Sequence, residues 1–467
     1  MNERIVKFVK NANYSQRDYE ALLSIYKFRC LSSEQIYHIH YSLSKLKTRE
    51  VDSGYMRHKM SQFKKDKLIK KIDNVGSDCP PLFTLTNDGI KVIKEYFHLT
   101  PDDMNSDEPS LNYELKSSEL NIKPVFAYHQ FYLNNFVINM MKFCDNIEGV
   151  KYIDERHMKK SENVRPDGLL IIPETTINNG GISFIIPRTE FFIEMDMGTE
   201  NSKRIVDKFE KYRSYFTSSK CNTDTRSVVL FVCKDNKQTY KDCIIPDKNV
   251  QYQESSAVRK RIRNIKTSIA DVMLDCIKDN VEVFVGSQTK LISTIKLLYL
   301  AEYQDVANML PNIKRSLTSY GCRNLEISDS PSLFKYTSNI EYDTYASSTQ
   351  HQKSFVFINY FGEPMSAINK IMYHKQNTKL FKETFGRDLI LVVVANKEDS
   401  IIALHNAFDF SMPQFNTVMF TTIKRLNLLP FNQALFKFDT YGTAVYSDDL
   451  SSFVPTNTIL PANYKML

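Results

Sequence analysis

The stretch that most constrains the fold covers residues 165–212: RPDGLLII and, after a short gap, FFIEMDMGTENSKRIVDKFEKYRSY. Two short apolar runs, 169–172 and 191–193, read as strands. Each carries acid at one end: Asp167 precedes the first, and Glu194 and Asp196 close the second. Side chains alternate faces along a strand, so Glu194 and Asp196, two apart, point the same way. Apolar residues then recur at Ile205, Phe209, Tyr212 and Phe216, spacings that define one face of a helix. Three carboxylates gathered at one sheet edge suit a hard cation. Mg²⁺ takes oxygen ligands, usually one or two protein carboxylates with water and substrate phosphate. The plain alternative is that these are solvated acids at strand ends.

The flanking segments extend this into an α/β unit. An amphipathic helix is expected over 125–143, carrying His129 near its start, and VKYIDERHM reads as a strand ending in Asp154 and Glu155. Of these two acids Glu155 is the better candidate for an additional ligand. The run SVVLFVC at 227–233 is apolar and β-branched throughout, as a central strand buried on both faces must be. The order helix, strand, strand, acidic strand, helix, strand is that of an α/β layer fold.

This pattern resembles the PD-(D/E)XK nuclease core, in which Pro-Asp sits at one strand and Glu-x-Lys at the next, with a helix behind. Pro166-Asp167 and Glu194-Met195-Asp196 match, but Asp196 stands where the resemblance calls for lysine. A lysine from the following helix is then required, and Lys208 and Lys211 are available. Lys208 is preferred, because Lys-x-x-x-Tyr (Lys208, Tyr212) follows the acidic strand in such relatives. The resemblance implies Mg²⁺ or Mn²⁺ held by Asp167, Glu194 and Asp196, with Glu155 assisting. Such an ion polarises the scissile phosphate and lowers the pKa of an attacking water. Lys208 would steady the developing negative charge.

Residues 15–100 carry a second signal. Ser15 can cap a helix with Tyr19, Leu22, Leu23 and Tyr26 on its core face. Ser32 or Ser33 can cap a short second helix. A third is expected over about residues 53–67, with Met56, Met60 and Phe63 on one side and many cations on the others. LIKKIDN, a turn and LFTLT then read as a hairpin, and a last helix starts at Asn87 or Asp88. Three helices with a hairpin form a winged helix-turn-helix, whose third helix enters the major groove of DNA. The string DKLIKK…PLFTLTNDGIKVIKEY resembles the winged helices of bacterial DNA-binding proteins. Arg57, Lys59, Lys64, Lys65 and Lys67 are the expected DNA contacts, with Arg57 and Lys59 in the groove. A protein–protein module is the alternative. His38-Ile39-His40 has the lettering of the HUH endonucleases. In a helical segment, however, residues two apart diverge by about 200°, so it does not offer both imidazoles on one face.

Taken together, the winged helix and the series AYHQFYLNN…RPDGLL…FIEMDMGTE…KFEKY resemble the replication-relaxation family, which overlaps the MOBC-class plasmid relaxases. The resemblance covers about half of the chain. It implies a metal-dependent DNA-nicking protein acting on double-stranded DNA at a plasmid or mobile-element origin, in conjugation or replication. A homodimer or other transfer and replication proteins are further expected partners. The rival expectation is a non-catalytic DNA-binding factor that uses the same core as a scaffold.

The rest of the chain sets the boundaries. At 467 residues, roughly two to four domains are expected. Residues 1–100 form the winged helix, 101–122 a polar, acidic linker, 123–250 the nuclease-like domain and 251–279 a connecting helix. Residues 280–467 form a degenerate second copy of the α/β core. That copy is read from FVFINYFGEPMSAINKIMYHK…LILVVVANK, which repeats strand, glycine, acid, helix with lysine, buried strand. Gly362 takes the place of Gly198 and Lys370 that of Lys208, while Ile358 and Tyr360 replace Glu194 and Asp196. An aliphatic and a phenol cannot hold a hard divalent cation. The net charge of +7 is compatible with nucleic acid. The eight cysteines form no CxxC pair, which argues against zinc knuckles and a disulfide framework. No run approaches the about 20 apolar residues of a membrane span, and the charged N-terminus has no signal-peptide core. A cytoplasmic protein is expected.

Overall fold

The computed structural model describes residues 3–42, 53–76, 79–98, 122–144, 147–158, 164–179, 182–218, 225–235, 254–273, 280–295, 313, 315, 323–325, 344–346, 354–385 and 389–446. The fold is mixed α/β, with helices packed on mixed sheets. No helix among the described residues is long and apolar enough to cross a membrane.

The N-terminal unit contains α1 (Glu3–Asn11), α2 (Gln16–Phe28), α3 (Ser33–Tyr37), α4 (Ser53–Lys65) and α5 (Asn87–Phe97). Strands β1 (Leu31–Ser32), β2 (Ile69–Ile72) and β3 (Leu82–Leu85) form an antiparallel sheet in the order β1-β3-β2. Local chemistry sets the helix starts. Ser15 accepts from the Asp18 N–H and Asp18 reaches back to Ser15, a reciprocal capping box. Ser32 and Gln35 do the same for α3. Thr86 caps α5, which starts at Asn87, one of the two expected starts. At Gly89 a Cβ would come within 2.1 Å of the Leu68 carbonyl oxygen, so only glycine lets α5 approach the hairpin so closely. Helix α1 and strand β1 were not anticipated. β1 has only two residues, too few for a periodic signal.

The central unit follows with α6 (Pro124–Phe143), β4 (Lys151–Asp154), β5 (Gly168–Ile172), β6 (Thr175–Asn179), β7 (Ile182–Ile186) and β8 (Thr189–Asp196). Then come α7 (Ser202–Thr217), β9 (Arg226–Cys233), α8 (Ser256–Ile269), β10 (Val281–Ser287) and α9 (Gln288–Ile295). Five strands make one sheet in the order β10-β9-β8-β5-β4. β4, β5 and β8 pair antiparallel, whereas β8, β9 and β10 run parallel. β6 and β7 pair with each other as a two-stranded ribbon. β10 falls beyond the expected boundary at residue 250. The reason is topological: a parallel pair needs a crossover connection, and α8 supplies it. The expected connecting helix is thus part of the central unit. The expected linker lies outside the described residues, except for Ile122.

The C-terminal unit contains β11 (Arg323–Leu325), β12 (Thr344–Ala346), β13 (Ser354–Asn359), α10 (Met365–Gln376), α11 (Thr378–Phe385) and β14 (Leu389–Ala395). It continues through α12 (Glu398–Phe408), β15 (Val418–Thr422), α13 (Ile423–Leu428), α14 (Phe431–Ala434), β16 (Phe436–Phe438) and β17 (Ala444–Tyr446). Its seven described strands lie side by side in sequence order. From β11 to β15 the pairings run antiparallel, antiparallel, parallel, parallel. From β4 to β10 the central sheet shows the same succession. β13 therefore holds the topological place of β8. Gly198 and Gly362, each shortly after its strand, have φ of 81° and 70°. Ile358 and Tyr360 are buried.

Two apolar clusters hold the units together. One combines the N-terminal helices and α6 with Phe191 and Ile193 of β8 and Phe355 and Phe357 of β13. The other combines α7, α8, α10 and α12 with the opposite faces of the same strands, Phe192, Val356 and Ile358 among them. The strand alternation that puts Phe192 on the α7–α8 side also puts Glu194 and Asp196 there.

Candidate functional site

The antiparallel register of β5 and β8 pairs Gly168 with Ile193. Asp167, one residue earlier, is thereby brought beside Glu194, one residue later. Helix α7 covers this sheet edge with Ile205, Phe209, Tyr212 and Phe216 buried beneath it. The same face carries Lys208 and the Tyr212 hydroxyl to the acid. Lys208 Nζ donates to Glu194 Oε2 at 2.9 Å, and Tyr212 Oη donates to Glu194 Oε1 at 2.6 Å. Glu200 lies 3.4 Å from the same ammonium. Glu194 is only 2% exposed. Burial, with the negative charge of Asp167 added, pushes its carboxyl up to about 7 against the pull of Lys208 and Tyr212. Burial works against the Lys208 ammonium as well, but Glu194 and Asp167 outweigh it and raise its pKa above the ordinary lysine value.

Asp167 is held from two sides. Its Oδ2 accepts the Met195 N–H at 2.8 Å and lies 3.4 Å from His129 Nε2. The same imidazole nitrogen is 3.0 Å from the Met195 carbonyl oxygen. Burial would raise the Asp167 carboxyl, yet His129, Lys208 and the Met195 amide together bring it below its usual range. Burial likewise opposes the His129 cation, and its bond to Asp167 reverses the balance and raises its pKa. His129 comes from α6, far away in sequence. Its position near that helix's start was visible in the sequence, but its partner was not.

The other two acids expected at a metal are committed elsewhere. Asp196 shares the face of Glu194 but turns to α8. Arg261 Nε donates to its Oδ2 at 2.8 Å, Arg261 Nη2 to its Oδ1 at 3.0 Å, and the Gly198 N–H adds a third bond at 3.0 Å. A bidentate guanidinium of this kind uses the lone pairs that a cation would need. Glu155 pairs with Arg29 of the N-terminal unit at 2.9 Å. Among the described residues no group of three or more His, Cys, Asp or Glu is disposed to hold a metal. Two carboxylates, Asp167 and Glu194, do converge, and both already attract one cation, Lys208. An ion of the Mg²⁺ type uses one or two protein carboxylates with water and phosphate oxygens, and at Glu194 it would have to displace the Lys208 and Tyr212 contacts.

On α4 the expected cations divide. Arg57, Lys64 and Lys65 are exposed, as is Lys67 just after the helix. Lys59 instead turns inward, donating to the buried Asp18 at 3.0 Å and lying over the Tyr14 and Tyr55 rings. Its ammonium is thus engaged inside the unit. His38, Ile39 and His40 fall in one π-helical turn, His38–Ser42. His40 Nε2 is 2.8 Å from Ser24 Oγ, and burial lowers its pKa to about 4.

The family model described as replication-relaxation matches residues 22–229. The match runs from α2 into β9 and so includes Asp167, Glu194, Lys208 and Tyr212, but neither α8 nor the C-terminal unit. No curated protein and no solved structure matches the chain.

Proposed function

We propose that this chain is a metal-dependent, relaxase-like DNA-nicking protein acting at a plasmid or mobile-element origin in replication or transfer. The observation that carries the reading is the meeting of Asp167, Glu194 and Lys208 at one sheet edge, with the lysine drawn from α7. The two carboxylates and the ammonium required by the PD-(D/E)XK resemblance are thus together, although the strand position of the lysine is occupied by Asp196. The replication-relaxation match over this region agrees with a part in replication or mobile-element transfer. In this reading α2–α5 with β2 and β3 are a winged helix-turn-helix that reads duplex DNA through α4. The C-terminal sheet is a degenerate copy of the nuclease-like core, without carboxylates at Ile358 and Tyr360.

Asp167 and Glu194 would hold Mg²⁺ or Mn²⁺. When bound, such an ion neutralises phosphate charge and activates water near neutral pH. His129 and the Met195 amide fix the Asp167 carboxylate. Tyr212 fixes Glu194 through its hydroxyl. Lys208 places a permanent positive charge where negative charge develops on the phosphate.

The test is conversion of supercoiled origin plasmid to open circle by the full-length chain with Mg²⁺ or Mn²⁺. Wild type nicks in this reading, and Asp167→Asn and Glu194→Gln bind the plasmid without nicking it. A wild-type chain that binds origin DNA but never nicks it in either metal would establish the scaffold reading instead.

A further inference from the structure

Helix α8 contains five cations, Arg259, Lys260, Arg261, Arg263 and Lys266, and no acid. Two are used inside the fold. Arg261 grips Asp196, two residues along β8 from Glu194. Lys266, buried, donates at 2.7 Å to Glu363, whose other oxygen takes Lys290. Burial opposes the charge on Glu363, but the two lysines outweigh it and hold its carboxyl far below the usual range. The helix is thereby fixed to β8 at one point and to the C-terminal unit at another. Val258, Ile262, Ile265 and Ile269 supply its packing face. Arg259, Lys260 and Arg263 remain. They are exposed and make no ion pair among the described residues. Like charges four apart on a helix repel each other, so packing gains nothing from this stripe.

Its location gives it a use. The Ser255 cap of α8 donates its N–H to Asp235, two residues beyond β9, at 2.8 Å. Asn201 caps α7 five residues beyond β8. Both helices therefore start at the carboxyl edge of the parallel strands, where Asp167 and Glu194 meet. Ligands of open α/β sheets bind outside that edge, and helix N-termini favour anions. Lys203 and Arg204, exposed in the first turn of α7, add to the same charge.

We propose that the exposed stripe of α8, Arg259, Lys260 and Arg263, with Lys203 and Arg204 of α7, is a second DNA-binding surface, which grips the duplex backbone next to the Asp167–Glu194 site. The proposal rests on the nicking reading for its purpose, but not for its measurement. It assigns the winged helix-turn-helix to reading the duplex and α8 to seating the phosphates at the site. α8 lies outside the matched residues 22–229.

The test uses the full-length chain and a labelled non-specific duplex, with Kd measured over a salt series. Arg259→Ala, Lys260→Ala and Arg263→Ala combined should flatten the slope of log Kd against log salt by about two to three units. An unchanged thermal midpoint shows that the fold is intact, and if it drops, charge-conserving replacement of the three by lysine or arginine must restore both midpoint and slope. A triple variant with wild-type affinity and slope overturns the proposal, as does a wild-type chain without salt-dependent DNA binding. A flattened slope in a chain that never nicks supports the surface and removes only the nicking reading.

Discussion

Lys208 on α7 and Glu194 on β8 meet with Nζ 2.9 Å from Oε2. The strand position two residues after Glu194 offers no cation, since Asp196 there takes one from Arg261. The positive charge beside the acid pair thus comes from a helix that folds over the strand. Replacing it by Lys208→Met should slow nicking about 10²–10³-fold, the usual effect of removing one charge-stabilising donor. Lys211→Met, exposed on the same helix, should leave the rate unchanged. Open-circle formation by both variants decides between the two lysines that the sequence offers.

Glu194 also gives a pH signature. Its carboxyl is raised from 4.5 to about 7 by burial and by Asp167. The folded state then holds the proton more tightly than the unfolded chain, so this group costs stability as pH rises from 4.5 through about 7. Glu194→Gln cannot ionise and escapes that cost. Its stability relative to wild type should therefore increase between pH 5 and 8 by at most roughly 3 kcal/mol, at about 1.4 kcal/mol per pKa unit. Urea unfolding at the two pH values measures it, and a pH-independent difference would contradict the assignment.

Asp196 and Arg261 make a structural prediction. Arg261→Ala leaves a buried carboxylate without its counter-charge and should cost roughly 3 kcal/mol in urea unfolding. Adding Asp196→Asn removes the stranded charge and should recover most of the loss. Additive destabilisation in the double variant would show that the two residues do not act as a pair.

Much of the fold could be read from the chain because its signals are local. The Ser15 and Ser32 caps, the apolar stripe of α7 and the all-apolar β9 each carry their own period or cap. Lys208 is preferred over Lys211 through the Lys-x-x-x-Tyr pattern of the resemblance and not through any local signal, and its ammonium meets Glu194. The partners of Asp196 and Glu155 were not legible. Arg261 is 65 residues from Asp196, and Arg29 is 126 from Glu155. No spacing rule joins such distant positions. A strand-end carboxylate looks the same in sequence whether it awaits a metal or an arginine. Similarly, β10 could not be assigned to the central sheet until α8 was seen to be its crossover.

The cations of α4 and of the turn that follows it should separate by function. Lys64→Ala, Lys65→Ala and Lys67→Ala should each flatten the salt dependence of duplex binding by about one unit. Lys59→Ala should keep the slope and lower stability by about 1–3 kcal/mol, because it leaves buried Asp18 without its charged donor. A Lys59 variant that loses DNA affinity at unchanged stability would return this residue to the groove.

The most direct measurement of the central claim is an anomalous difference map from crystals of the full-length chain soaked in Mn²⁺. One peak is predicted between Asp167 and Glu194, with Lys208 shifted from its present contact, and none beside Ile358 and Tyr360. A map without a peak at Asp167 and Glu194, with Lys208 still seated on Glu194, would contradict the account and leave this sheet edge a scaffold.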